Sequence, residues 1–376
     1  MPGNVATSTV NRPAVTPPVL SGASGGRLVS LDAYRGFVML LLVSGGFGLA
    51  SLRGVPGWEW LAAQADHAAW EGCTFWDLIQ PAFTFMVGVA MPFSLARRAA
   101  QGATQVQLLR HVAWRAFVLV VLSNICSNWE AAPGLLRFQL INVLSQIAFG
   151  YLICFFILRL RFLPQVAVAI AMLACHWALF YGFPGPDGPW SRTSNIGAVI
   201  DLNILGYNYS GYYTTINFIG NAVTILFGCW VGLLLRTRKS HTEKLRILTA
   251  CSAAAIAFGL ALQPLSPMVK RLWTGSFTFF STGWVILMLM VFYWVIEVRQ
   301  AKRWAFPLLV LGMNSIFVYS LGEIGIRNWL DRGLAGFTGD FQVLGALGAI
   351  PQQILVLAGL WYACYWLYQR NIYFKI

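Results

Sequence analysis

Apolar residues run through the chain in blocks of roughly twenty, separated by short polar stretches rich in glycine and proline. A hydrocarbon core of about 30 Å needs about 20 apolar residues for one helical crossing. Ten blocks fit that pattern: 34–52, 74–95, 115–129, 138–158, 164–183, 214–235, 247–264, 275–296, 304–322 and 342–368. The third is short, and its polar end (Asn124, Ser127, Asn128) predicts a tilted helix or irregular backbone. The pattern predicts an all-α, polytopic membrane helix bundle of about ten transmembrane helices. Residues 1–26 are rich in Pro, Ser, Thr and Gly and read as a disordered cytoplasmic tail, which leaves 27–376 as one transmembrane domain. The tail lacks the short apolar stretch of a cleavable leader, and the first long apolar run begins only near Phe37.

Composition agrees with the pattern. The chain of 376 residues is 58% hydrophobic and 10% charged, against about 25% charged in soluble proteins. That excludes a soluble enzyme, a disordered chain and a disulfide scaffold. The net charge of +13 is explained by where the basic residues sit. With the N-terminus in the cytoplasm, 18 Lys and Arg fall on the cytoplasmic side and 7 outside, and Arg35 lies inside the first span. Of the acidic residues only Asp32, Glu243 and Glu297 lie toward the cytoplasm. The basic excess is therefore a topology signal giving N-in and C-in, and no nucleic-acid partner is expected.

Candidate chemistry is sparse. The seven cysteines show no CxxC or CxxH spacing and fall mostly in apolar blocks, so no metal site is expected. Of four histidines, His111 and His241 lie in basic connections and read as solvated, and His176 reads as a hydrogen-bonded bundle residue. His67 differs, because it lies in the outward loop 53–73 just before a span that carries Asp77. A carboxylate inside a span costs about 2.5–3.5 kcal/mol at the bilayer centre, so Asp77 is a functional candidate. Its rival role is a helix cap with Thr74, and the two are compatible. The second long outward loop, 184–213, is dense in Gly, Asn, Tyr and Pro, which suits either a sugar-binding surface or a lid packed on the helices.

The stretch RLVSLDAYRGFVMLLLV, followed by HAAWEGCTFWDLIQPAFTFMVGVA, resembles the heparan-alpha-glucosaminide N-acetyltransferase family. That family opens with R-L-x-S-L-D-x-x-R-G and continues with H-x-x-W-x-G-x-T-x-x-D-L-x-x-P-x-F-x-F. HVAWRAFVLV, INVLSQIAFGYL, TTINFIGNAVTILFGCWVG, VKRLWTGSFTFFSTG, LGMNSIFVYSLGEI and YQRNIYFKI are similar to later segments, in order. There are departures. Ser44 or a neighbouring glycine stands where eukaryotic members have an Asn, Ile147 follows Gln146 directly where an Arg is usual, and Gly322 replaces a His. The luminal domain of animal members is also expected to be missing.

The resemblance implies a transmembrane acetyltransferase that uses acetyl-CoA as co-substrate and an amino sugar or glycan as acceptor. It implies His67 as general base or as acetyl carrier, Asp77 as the acid that orients it, and Asn314 in the acceptor pocket or oxyanion site. Trp70 and Gly72 would shape the catalytic loop. Arg27, Arg35 and Arg115, with Ser315, would hold the donor, Arg being suited to phosphate. A lipid bilayer, a homodimer and a bacterial inner membrane complete the expectation. O-acetylation of an envelope glycan, or a transporter or flippase without catalysis, stays open beside it.

Overall fold

The computed structural model describes residues 28–129, 136–207 and 213–374. The expected tail, 1–26, and Arg27 lie outside the described residues. The elements in order are α1 (Val29–Ser44), α2 (Glu59–Gln64), α3 (Ile79–Ala100), α4 (Gln105–Ser127), α5 (Val143–Ile157), α6 (Phe162–Gly182) and α7 (Ile196–Leu205). They continue with α8 (Phe218–Arg236), α9 (His241–Ala261), α10 (Gly275–Tyr293), α11 (Phe306–Met313), α12 (Ser315–Glu323), α13 (Ile326–Ala335) and α14 (Ala349–Gln369). Among the described residues there is no strand, only an isolated bridge between Gly185 and Gly188. The protein is an all-α polytopic membrane bundle.

Among the described residues, eight helical segments are long and apolar enough to cross a membrane. The ninth expected span is broken: α11 and α12 meet at a bend of 64° centred on Asn314. Helix α5, at 15 residues, is about 22 Å long and falls short of a full crossing at 1.5 Å per residue. Local caps explain where helices depart from the apolar blocks. Thr104 and Gln107 form a reciprocal capping box that starts α4 at Gln105, so the span expected to be short has 23 residues. Ser240 and Glu243 do the same for α9, and the Asn142 side chain accepts from the Leu144 amide to start α5. Hydropathy finds where a chain can be buried; caps decide where it becomes helical. Helix α1 ends earlier than expected, because Gly45, Gly46 and Gly48 turn the backbone left-handed.

Two helix pairs form the centre by close backbone approach. A Cβ at Gly88 would strike the Ile225 carbonyl, and one at Gly228 the Phe85 carbonyl, which locks α3 against α8. Gly36 and Gly312 meet in the same way between α1 and α11. In lipid, where apolar contact alone gives no preference for helix over solvent, such small-residue faces hold helices together by packing. The consequence for function is that α3 is fixed along its length. Its N-terminal end holds Asp77 and its C-terminal end Arg97 and Arg98, 20 residues and about 30 Å apart.

Candidate active site

At the N-terminal end of α3, His67 and Asp77 meet. Nδ1 of His67 lies 2.7 Å from Oδ1 of Asp77. Oδ2 of Asp77 accepts from the backbone N–H of Ala68 at 3.0 Å and of Thr74 at 3.1 Å. The Asp77 N–H in turn donates to the Thr74 hydroxyl at 3.3 Å. Oδ2 thus closes a reciprocal pair with Thr74 at the helix start, while Oδ1 meets His67. The carboxylate is 2% exposed and the imidazole 38%.

A third residue joins them that the sequence reading missed. Nζ of Lys270 lies 3.3 Å from Asp77 Oδ1 and 3.2 Å from His67 Nδ1, with its side chain 8% exposed. An ammonium only donates, so Nδ1 either donates to Asp77 or accepts from Lys270. The shorter 2.7 Å contact assigns the proton on Nδ1 to Asp77, which leaves Nε2 with a lone pair. A buried charge of either sign is costly without its partner, so Lys270 and Asp77 stabilise one another. The available sequence signal was topological: Lys270 is one of the few cations expected on the outer side, and it lies 203 residues from His67.

The surrounding loop is built to hold this cluster. Gly72, at φ 107°, donates to the Met268 carbonyl at 2.8 Å and so ties the His67 loop to the segment that carries Lys270. Arg53 pairs with Asp66 at 2.8 Å, and Asp66 accepts from the His67 N–H. Trp70 donates to the Trp190 carbonyl at 2.9 Å, and Trp190 stacks on Phe180. The described part of the 184–213 loop thus packs against the helices through Trp190, and it includes α7. Burial beside Asp77 pushes the Cys73 thiol well above the ordinary thiol range, so it remains protonated and does not compete as a nucleophile.

The other end of α3 is different. A cleft of about 530 Å³ is lined by Arg35, Arg97, Arg98, His111, Arg115 and Ser315, among others. It adjoins a hollow of about 740 Å³ that shares Arg35 and Arg97 and adds Arg236. Along α3 the cleft runs from Arg97 to Phe83, 14 residues or about 21 Å, between neutral walls that include Val87, Leu144 and Ile147. Among the described residues, Nε of Arg98 and Nε of Arg115 are buried with no hydrogen-bond partner, while the Arg115 guanidinium lies over the Tyr151 ring. Arg35 is 3.7 Å from Asp32. Of the expected donor residues, Arg35, Arg115 and Ser315 share this cleft. His111, expected to be solvated, lines it too, because the longer α4 carries it into the bundle. His241 likewise has a partner, with Nδ1 2.8 Å from the Tyr293 hydroxyl.

Asn314 is placed apart from His67. Its amide donates to the Ile372 carbonyl at 3.1 Å, and its oxygen accepts from the Phe374 N–H at 2.9 Å. It anchors the C-terminal segment, whose Tyr373 and Phe374 form part of the cleft wall. His176 is buried against Phe180, with ring centroids 4.8 Å apart. Among the described residues no group of three or more His, Cys, Asp or Glu is arranged to hold a metal ion.

A family profile described as a domain of unknown function, DUF5009, matches residues 27–206. The segment ends before Lys270 but contains His67 and Asp77. The human heparan-alpha-glucosaminide N-acetyltransferase is 24% identical over 418 aligned positions, covering 93% of this chain. The chain is thus similar to heparan-alpha-glucosaminide N-acetyltransferases over most of its length. The mouse member is 23% identical and covers 80% of the chain. The chain spans 60% of the length of the human member and 54% of the mouse member. The matched part of the human member takes in nearly all the helices described above.

Proposed function

We propose that this protein is a membrane-embedded acetyltransferase that moves the acetyl group of acetyl-CoA to the amine of a glucosamine-type sugar. The observation that carries the reading is the cleft. Its mouth gathers arginines suited to phosphates, and its narrow neutral body extends about 21 Å along α3, toward the helix end that carries His67. A polyphosphate head on a long neutral arm ending in a thioester has that form. Arg35, Arg98 and Arg115 would hold the phosphates, together with Arg27, and Ser315 would contact the arm. The names of the relatives give the acceptor class.

His67 acts as general base in this reading. The amine nitrogen attacks the thioester carbon; the N–C bond forms and the C–S bond breaks. His67 Nε2 takes one amine proton and returns it to the departing sulfur, so the imidazole ends neutral. Asp77 holds the ring and offsets its transient charge. We place the arginine end in the cytoplasm, following the excess of basic residues there, and His67 on the other face of a bacterial inner membrane. An acetyl-imidazole carried on His67 is the second reading, favoured by the exposure of the ring.

The test is label transfer by the purified protein from acetyl-CoA to glucosamine and, separately, to N-acetylglucosamine. Labelled N-acetylglucosamine formed from glucosamine alone supports N-transfer. Label on N-acetylglucosamine points to O-transfer, and acetyl-CoA that does not bind at all overturns the reading. Label retained on the protein without acceptor, and lost on adding it, marks the acetyl-imidazole route.

A further inference from the structure

A second cavity, of about 370 Å³, lies toward the His67 end of the bundle. Its lining includes Gln80, Gln139, Asn142, Tyr213, Tyr319 and Glu323, and none of its lining residues is basic. The volume falls within the range of small-molecule sites. Glu323 has neutral partners, the Asn142 amide, which donates at 3.1 Å, and the Tyr319 hydroxyl; the oxygen of the same amide group accepts from the Tyr319 hydroxyl at 3.1 Å. The residue keeps exposed surface although its carboxyl group sits among the helices.

The cavity touches both functional ends. Gln80 follows Asp77 by three residues on the same helix start, and residues three apart share a face at about 5–6 Å between Cβ atoms. On the other side, the Phe83 ring lines the arginine cleft and the Tyr319 ring lines this cavity. The two rings stack at 6.1 Å with planes 6° apart, so this stacked pair is a layer shared by the walls of the two spaces. Their charges are opposite: arginines on one side of the layer, and a lone carboxyl among amides and tyrosines on the other.

We infer that this second cavity seats the acceptor, and that Glu323 is the partner of the sugar's ammonium group. The inference rests on the acetyltransferase reading above for the identity of the acceptor. Amides and tyrosine hydroxyls match a polyhydroxylated ring, while a carboxyl group without a basic neighbour in the lining matches a cation. This makes the site selective for an amino sugar over its neutral N-acetylated form, so product loses its charged contact once formed.

Thermal stabilisation of the full-length protein in detergent by glucosamine, glucose and N-acetylglucosamine tests it, with acetyl-CoA as an independent ligand. Glucosamine should stabilise the wild type at lower concentration than either neutral sugar. Glu323→Gln should raise the half-saturating glucosamine concentration at least about tenfold and leave the acetyl-CoA response unchanged. An unchanged glucosamine response in that variant, or none in the wild type, overturns the inference. Should Glu323→Gln not fold, Ser127→Trp fills the same cavity while keeping the carboxyl group; a glucosamine response that survives it also overturns the inference. A Glu323-dependent glucosamine response in a protein that does not bind acetyl-CoA would support this site and fault the donor reading.

Discussion

At the N-terminal end of α3 each oxygen of Asp77 is held by at least two groups of the protein, His67, Lys270 and two backbone amides among them. At the C-terminal end five arginines line one continuous space in which Asp32 is the acidic lining residue, and two of their Nε atoms are buried without a protein partner. The difference fits the roles proposed for the two ends. A base must have its tautomer and orientation fixed before the substrate arrives, which takes a closed set of hydrogen bonds. A site for a polyanion needs cations whose balancing charge comes with the ligand.

The comparison breaks most visibly at Asp77. Asp77→Asn leaves Lys270 buried without its counter-charge and removes the acceptor that fixes the His67 tautomer. It should cost about 3 kcal/mol or more of stability and lower the transfer rate about 10²–10⁴-fold. Thermal unfolding and single-turnover transfer on the same preparation check both numbers. Lys270→Met should be milder, since Asp77 keeps His67 and its backbone donors. A fall of about tenfold in kcat with KM for the acceptor unchanged is expected, partly restored by Lys270→Arg. A structural role alone would lower the amount of folded protein and leave the kcat of the folded fraction unchanged.

The open end should respond the other way. Arg115→Ala should weaken acetyl-CoA binding about tenfold, as expected for loss of one charge-assisted contact. The response to glucosamine should stay as in the wild type, and thermal stability should change little. Calorimetric titration at two salt concentrations sharpens the point, because loss of a phosphate contact should also flatten the salt dependence. If Arg115→Ala unfolds the protein instead, the cleft is part of the structural core and the contrast between the ends fails.

What the sequence made legible follows from separation along the chain. His67 and Asp77 are ten residues apart, and rarity alone marks them: one of four histidines, and a carboxyl group at the start of a span. Lys270 joins them through loop-to-loop contacts, Gly72 with Met268 and Arg271 with Ala69, which no local pattern announces. The apolar blocks located the spans, yet the break at Asn314 was hidden, because apolar residues flank it on both sides. Its cause lies 58 residues away, where the amide ties down the C-terminal segment. His111 was read as solvated because charge interrupts hydropathy there, while the Thr104 cap starts the helix earlier and carries His111 into the bundle.

The central claim is that the two ends of α3 serve one reaction, with donor binding at the arginines and chemistry at His67. Acetyl transfer and acetyl-CoA affinity measured together on wild type and His67→Ala test it most directly. The account predicts that transfer to glucosamine falls by about 10²-fold or more while acetyl-CoA binds with unchanged affinity. Transfer at the wild-type rate by His67→Ala would contradict it.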